Sequence, residues 1–176
     1  MSCFDVKLAE LELAGIDATQ ALGASLEQYL KTGDVIGLEG EMGAGKSVLA
    51  RGMIRAGAKR AGVTLDDIPS PTFTLIQYYP RPAESHGSAS ESLIWHVDLW
   101  RLEQPQEAFD IGLDEGMANA VCVIEWMSKL DSAKPKNALQ ITLTQGRDAD
   151  TRQASFHAAA TYKDYWRSVL GAAGII

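Results

Sequence analysis

The residues whose types and spacing carry the clearest chemistry are residues 40–47, which read G-E-M-G-A-G-K-S. They fit the pattern G-x-x-x-x-G-K-[ST], in which the first glycine permits a tight turn and the second admits close approach of the backbone. Successive backbone N–H groups then point into one concavity at the start of a helix, where a polyphosphate fits. In this glycine-rich loop we expect Lys46 to bridge the β and γ phosphates and Ser47 to ligate magnesium.

The glycine-rich loop and the residue after it supply most of the predicted nucleotide contacts, through backbone N–H groups as well as side chains. These residues are Glu41, Met42, Gly43, Ala44, Gly45, Lys46, Ser47 and Val48. The alternative is a glycine turn before a helix, with Lys46 solvated. Such a turn would not need an apolar strand before it and a helical pattern after it, and this chain has both.

Two carboxylates are candidates for the second protein position that contacts magnesium, besides Ser47. Asp98 and Glu125 each end an apolar run, LIWHVD and AVCVIE, as acids at α/β nucleotide sites do. The shorter Asp98 suits metal contact and Glu125 suits the positioning of water, although spacing alone does not rank them. Either acid could instead face solvent or pair with an arginine. The predicted catalytic residues are thus Lys46, Asp98 and Glu125, and the predicted metal ligands are Ser47, Asp98 and Glu125.

The choice of base favours adenine over guanine. Residues 128–131 read S-K-L-D, which comes close to the N/T-K-x-D element of a guanine site but lacks its first residue. Arg101 stands three residues after Asp98, where a GTPase switch requires glycine. We therefore interpret residues 128–131 as the start of a helix and expect ATP.

The elements that must position these groups alternate between strand and helix periods, which predicts an α/β fold without internal repeats. Strands are predicted over residues 4–13 (with a bulge), 34–39, 75–79, 93–98, 120–125, 138–145 and 153–160. Helices are predicted over 17–33, 45–62, 105–117 and 162–170, with capping boxes at Asp17 and Thr161. Residues 80–92, rich in Ser, Pro and Gly, are predicted to form a flexible loop within a single domain spanning 1–176.

Composition narrows the class of protein. The 176 residues carry a net charge of −7, so no general basic surface holds nucleic acid. No apolar run is long enough for a membrane span and the start lacks a secretory signal, so we expect a cytoplasmic protein. A basic face on the second helix is predicted to be solvated, with docking of RNA or an acidic partner as the alternative. It comprises Arg51, Arg55, Lys59 and Arg60.

Cysteine and histidine do not suggest a metal centre. Cys3 and Cys122 are interpreted as reduced thiols, with Cys122 in the core. His86, His96 and His157 are scattered and form no ligand pair of the HExxH kind.

Four blocks in order give the chain a resemblance to a known family: residues 33–47 (GDVIGLEGEMGAGKS), 70–79 (SPTFTLIQYY), 96–102 (HVDLWRL) and 123–126 (VIEW). Together they resemble the bacterial TsaE family, a small ATPase needed for threonylcarbamoyladenosine formation on tRNA. The resemblance implies a three-layer α/β sandwich of P-loop type, with a mixed, largely parallel central sheet and helices on both faces. It implies ATP and Mg²⁺ as ligands, and TsaB and TsaD proteins as partners through which tRNA is reached indirectly.

The resemblance also assigns roles to individual residues. Asp98 matches the metal-site aspartate, and Glu125 matches the acid beside the γ phosphate. Thr72 matches the hydroxyl of a switch-like loop that reaches the metal or γ phosphate, against the plain alternative of a turn threonine beside proline. Trp126 is expected either beside the nucleotide or in the core. Arg101 matches the motif's arginine, with phosphate, Asp98 or a partner as its possible contacts.

Two residues depart from the family pattern. Trp100 stands where tyrosine is usual, which keeps the aromatic bulk and loses the phenol. Val48 stands where a second threonine is common, which removes a side-chain hydroxyl near the α phosphate and leaves the backbone N–H.

Two other functions remain open from the sequence. A small-molecule kinase would share the glycine-rich loop and would need an arginine-bearing lid, for which Arg81 is the candidate. A nucleotide-dependent interaction module would bind ATP as a switch and hydrolyse it negligibly.

Overall fold

The computed structural model describes residues 4–83 and 92–176, and its strands and helices alternate along the chain. The strands are β1 (Val6–Ala14), β2 (Val35–Glu39), β3 (Ile76–Arg81), β4 (Ser92–Asp98), β5 (Val121–Glu125), β6 (Leu139–Gln145) and β7 (Thr151–Ala158). The α-helices are α1 (Gly15–Glu27), α2 (Lys46–Arg60), α3 (Pro105–Asp110), α4 (Leu113–Asn119) and α5 (Lys163–Ala172). Short 3-10 helices cover Met127–Ala133 and Ala160–Tyr162.

The strands form one mixed sheet in the order β1-β7-β6-β2-β5-β4-β3. The four central strands β6, β2, β5 and β4 run parallel, whereas β7, β1 and β3 add antiparallel pairs at the two edges. The carboxyl ends of β2, β5 and β4 therefore lie side by side. These ends carry the glycine-rich loop, Glu125 and Asp98.

Apolar side chains on the central strands alternate between two cores, one on each face of the sheet. Ile36 and Val123 pack into the core that contains residues of α1, α2 and α5. Val35 and Ile124 pack into the core that contains residues of α3 and α4. Strands buried on both faces need continuous apolar runs, which explains why β2 and β5 lack a polar alternation.

Helix α2 is held close to α1 by glycines at their crossing. A Cβ atom built on Gly52 would lie 2.3 Å from the carbonyl oxygen of Gln20, and one on Gly23 would lie 2.4 Å from that of Leu49. Only glycine permits these two backbones to approach so closely. This contact helps to fix α2, whose first turn carries Lys46 and Ser47.

The structure confirms one detail that was predicted for these elements and contradicts three others. The bulge in β1 is confirmed between Lys7 and Ala9. Asp17 is not a cap, because α1 already begins at Gly15 and no side chain caps it, which leaves Asp17 in the first turn. Thr161 does not cap α5, since it lies in the preceding 3-10 helix. The predicted helix over 105–117 is two helices, separated where Gly112 adopts a φ of 84°.

The bounds predicted for a flexible loop, residues 80–92, overlap two strands. Pro80 and Arg81 belong to β3, and Ser92 belongs to β4, where Pro80 pairs in register with Leu93. Proline is tolerated there because β3 is an edge strand. Residues 1–3, which include Cys3, and residues 84–91, which include His86, lie outside the described residues.

Other predictions about composition can also be compared with the structure. Cys122 is fully buried, as predicted, and burial raises the pKa of its thiol to about 12. Within residues 4–83 and 92–176, no helix is both long and apolar enough to cross a membrane.

Candidate functional site

The glycine-rich loop connects β2 to α2 and depends on backbone conformations that favour glycine. Gly40, Gly43 and Gly45 have φ values of 136°, 79° and 106°. A Cβ atom on Gly40 would also lie 2.3 Å from the carbonyl oxygen of Leu143 on β6. Gly45 is the N-cap of α2 and has no side chain to occupy the first turn. The free N–H groups of that turn therefore face outward, as an anion site requires.

Lys46 folds back over this loop instead of extending into solvent. Its Nζ donates hydrogen bonds to the carbonyl oxygens of Gly40 (2.7 Å) and Glu41 (2.8 Å). The same Nζ lies 3.9 Å from the ring centroid of Trp126, a cation–π contact. Burial lowers the pKa of the Lys46 ammonium, and the carboxylates of Glu125, Glu39 and Asp98 act in the opposite direction. The lysine is thus a buried cation held by neutral carbonyls.

Glu125 connects the loop helix to the centre of the sheet. Its Oε2 accepts a hydrogen bond from Ser47 Oγ at 2.9 Å, and its Oε1 lies 2.8 Å from His96 Nε2. Glu125 and His96 are 2% and 0% exposed, respectively. A buried carboxylate needs such partners, because desolvation without them is costly.

Asp98 organises the loop that precedes β3. Its Oδ2 accepts hydrogen bonds from Thr72 Oγ1 (2.7 Å) and Ser70 Oγ (3.1 Å), and its Oδ1 accepts one from the backbone N–H of Trp100 (3.0 Å). The backbone N–H of Asp98 donates to the carbonyl oxygen of Leu75. One aspartate therefore ties the predicted switch-like loop to the end of β4.

Two tryptophans form the aromatic wall of the site. The ring centroids of Trp100 and Trp126 are 4.7 Å apart, with their planes inclined at 45°. Trp126 has a φ of 60°, a left-handed conformation that is uncommon for a bulky residue and often marks functional sites. Its backbone N–H donates to the carbonyl oxygen of Leu38, which holds it at the end of the central strands.

These groups surround a cavity of about 330 Å³. Its lining residues are Met42, Gly43, Gly45, Lys46, Ser47, Val48, Ser70, Thr72, Asp98, Trp100, Glu125 and Trp126. Ten of the predicted site residues thus meet around one space, including all three predicted catalytic residues. Glu41 and Ala44 line a different cavity with Leu143 on the β6 side of the loop, so their side chains do not contribute to this space.

Sequence reasoning missed Ser70 and His96 as members of the site, and treated Trp100 only as a departure from the family. A signal for His96 was present, because residues i and i+2 of a strand share a face and His96 precedes Asp98 by two. Ser70 gave no comparable signal, because its contact with Asp98 depends on the path of the loop.

A second cavity of about 490 Å³ adjoins the first and shares Gly45 and Val48 with it. Its other lining residues come from the β1–α1 junction and the start of β7: Ala14, Gly15, Ile16, Asp17, Thr19, Asp150 and Arg152. Ile16 is 64% exposed, which is high for a large apolar side chain. The cavity therefore offers an apolar surface beside hydrogen-bonding groups.

The predicted basic face of α2 does not form one continuous surface. Arg51 Nε donates to the carbonyl oxygen of Ile68 at 2.8 Å, and Arg60 forms an ion pair with buried Glu27 at 2.6 Å. Arg55 and Lys59 are exposed, as predicted for a solvated face.

Arg101 and Arg81, the two arginines to which the sequence gave possible roles at the site, have different contacts in the structure. The Arg101 guanidinium lies 4.3 Å from the ring centroid of Phe73, whose side chain is 80% exposed. Arg81 is buried, with hydrogen bonds to Glu27 and to the carbonyl oxygen of Leu30. It does not line the cavity, so its assignment as a lid is wrong.

The oxygen atoms around the cavity suit a hard cation that arrives with phosphate. Ser47, Thr72, Asp98 and Glu125 supply hydroxyl and carboxylate oxygens, which Mg²⁺ prefers. The described part of the chain holds no group of three or more His, Cys, Asp or Glu residues that could bind a metal unaided. These oxygen atoms fit Mg²⁺ that is held jointly by the protein and by phosphate, because this ion commonly takes one or two carboxylates together with phosphates.

A family model and two relatives with the same name match most of this chain. The family model "Threonylcarbamoyl adenosine biosynthesis protein TsaE" matches residues 13–154. The tRNA threonylcarbamoyladenosine biosynthesis protein TsaE of Bacillus subtilis is 34% identical over 143 residues, covering 81% of this chain and 80% of the relative. The protein of the same name from Treponema pallidum is 33% identical over 126 residues, covering 71% and 83%. A crystal structure of Bacillus subtilis YdiB matches with a TM-score of 0.67 and 26% identity, covering 92% and 93%.

Proposed function

Because the chain belongs to the TsaE family of tRNA threonylcarbamoyladenosine biosynthesis proteins, we propose that it is the ATP-hydrolysing component of this modification machinery. The observation that carries the proposal is the meeting of the glycine-rich loop, Lys46 and Ser47 with two buried carboxylates around one cavity. This combination supports the proposal that the domain is a three-layer sandwich of the P-loop class and that its ligands are ATP and Mg²⁺.

Hydrolysis would require the residues to act on the terminal phosphate of ATP. Water attacks the γ phosphorus, the bond from that phosphorus to the β–γ bridging oxygen breaks, and ADP and phosphate leave. Lys46 would exchange its carbonyl partners for phosphate oxygens and compensate their charge. Glu125 would orient the attacking water by accepting its hydrogen bond, and Thr72 would hold the loop against Asp98.

Magnesium would be held by Ser47, Asp98 and Glu125 together with phosphate oxygens. When bound, this ion would neutralise phosphate charge and polarise the γ phosphate toward attack. The hydroxyl of Ser47 and the carboxylate of Glu125 are already in contact, so the chain presents these two oxygen groups together.

The second cavity is the proposed site of the adenosine. It begins at Gly45 and Val48, on the loop helix, and contains Ile16 as an apolar surface for a base. Asp17 and Asp150 supply acceptors for hydroxyl or amino groups, and Arg152 supplies a cation. The two adjoining cavities would together accommodate one nucleoside triphosphate.

The proposed partners are TsaB and TsaD proteins, with tRNA reached only through them. A net charge of −7 supports this arrangement, because such a chain does not attract the phosphate backbone over its whole surface. Hydrolysis would then drive a conformational or turnover step of the assembly. The kinase alternative loses its lid candidate, because Arg81 is bound to Glu27.

The decisive experiment reconstitutes tRNA modification with the partner proteins and compares the wild-type chain, Lys46→Ala, and no added chain. We expect modified adenosine over many turnovers and release of phosphate only with the wild-type chain. Lys59→Ala, an exposed lysine of the same helix, is the matched control and should behave as wild type. Equal yields in all reactions would refute the proposal. Modification that persists with a non-hydrolysable ATP analogue would favour the alternative function, a nucleotide-dependent interaction module that hydrolyses ATP negligibly.

A further inference from the structure

His96 is a buried side chain for which the proposed reaction has no assigned use. It lies on β4, two residues before Asp98, which pairs with Glu125 on β5. His96, Asp98 and Glu125 share the face of the sheet that α1 and α2 cover, because Val123, the register partner of His96, packs into that core. The imidazole is 0% exposed and contacts Glu125 from the interior, opposite the contact with Ser47.

The two ring nitrogens of His96 have different surroundings. Nε2 lies 2.8 Å from Glu125 Oε1, whereas Nδ1 is buried without a hydrogen-bond partner among the described residues. A carboxylate oxygen only accepts hydrogen bonds, so the contact requires the proton to be on Nε2. The hydrogen bond in turn fixes the plane of the carboxylate and leaves Oε2 toward Ser47 and the cavity.

We propose that His96 is a positioning residue: its buried Nε2–H holds Oε1 of Glu125 and thereby aims Oε2 at Ser47 and the phosphate cavity. The proposal rests on the proposed function for its catalytic consequence. Without this donor, a carboxylate that is 2% exposed would lose one of its two hydrogen bonds and turn to find another. The reaction would then lose orientation at the water-positioning group while the loop contacts to phosphate remain.

The first test measures kcat and KM for ATP hydrolysis in three variants. His96→Leu keeps apolar volume and removes the donor, His96→Gln returns an N–H near the position of Nε2, and His157→Leu replaces a histidine of β7, separated from β5 by two strands. We expect His96→Leu to lower kcat by about tenfold or more with KM for ATP changed less than about twofold. His96→Gln should recover most of kcat, and His157→Leu should match wild type.

The second test detects the hydrogen bond between His96 and Glu125 without measuring any turnover. Two-bond ¹H–¹⁵N correlation spectra of the ¹⁵N-labelled chain should show His96 as the Nε2–H tautomer, with its Nε2 signal displaced in Glu125→Gln. This measurement also covers the case in which His96→Leu does not fold, which circular dichroism would reveal. The Nδ1–H tautomer would overturn the proposal, as would a folded His96→Leu with unchanged kcat. If wild type releases no phosphate with its partners, the proposed function fails, and the tautomer alone decides the role of His96.

Discussion

Ser47 and Glu125 are 78 residues apart in the chain, yet Ser47 Oγ donates a hydrogen bond to Glu125 Oε2 over 2.9 Å. The contact joins the first turn of α2 to the end of β5. It exists because β2 and β5 are parallel neighbours, so the loop after β2 opens beside the last residue of β5. The hydroxyl and the carboxylate therefore enter the cavity as a pair.

Ser47→Ala should reduce ATP hydrolysis by about tenfold or more, because it removes a charge-assisted hydrogen bond and an oxygen donor for Mg²⁺. Ser47→Thr keeps the hydroxyl and should retain most of the activity. The measurement is kcat from phosphate release at saturating Mg²⁺, with the exposed Ser168→Ala as control. An unimpaired Ser47→Ala would exclude the serine from the reaction.

The sequence predicted the parts of the site that depend on local geometry. The tight turn predicted at Gly40 has the φ of 136° that favours glycine, and Asp98 and Glu125 meet because each ends a parallel strand. The caps predicted at Asp17 and Thr161 are wrong, because α1 begins two residues before Asp17 and α5 begins two residues after Thr161.

Contacts that depend on tertiary packing were not predictable. Arg81 reads as a loop arginine in the sequence, yet buried Glu27, 54 residues away, binds it at the end of β3. The Ser70 contact with Asp98 depends on a loop in which Leu75 has a φ of 64°. No periodicity or motif in the sequence encodes either contact.

Ile16→Ala should weaken the binding of ADP by about threefold to tenfold, because the second cavity loses its apolar surface for the base. Ile111→Ala is the matched control, since Ile111 is also exposed and lies between α3 and α4, away from both cavities. Calorimetric titration of each variant with ADP measures the change. Equal losses in both variants, or none in Ile16→Ala, would place the base elsewhere.

Asp34 should give the stability of the folded state a pH dependence that is independent of the proposed nucleotide site. Burial raises the pKa of its carboxyl above the ordinary 3.8, although the Lys31 N–H and the Tyr165 hydroxyl oppose the shift. The folded chain then binds a proton more tightly than the unfolded chain. The contribution of Asp34 to the free energy of unfolding therefore falls as pH rises from about the unfolded value to the raised one.

Urea unfolding of wild type and Asp34→Asn across this pH range checks the prediction. The stability of wild type minus that of Asp34→Asn should decrease with rising pH and level off above the folded pKa, whatever the constant offset from altered hydrogen bonds. Tyr165→Phe removes an opposing hydrogen bond and should extend the decrease to higher pH. A difference that grows with pH would mean that the buried carboxyl is stabilised in its charged form.

Gly52 and Gly171 should respond in opposite directions to the same substitution. Gly52→Ala places a Cβ 2.3 Å from the backbone oxygen of Gln20, which forces α1 and α2 apart and should cost about 1–3 kcal/mol of stability. Gly171→Ala, in α5, meets nothing within 4 Å and should instead stabilise the chain by about 0.5–1 kcal/mol through helix propensity. Denaturant midpoints of the two variants measure both effects. Because α2 carries Lys46 and Ser47, Gly52→Ala should also weaken ADP binding, whereas Gly171→Ala should not; equal stability changes would refute the close packing of α1 on α2.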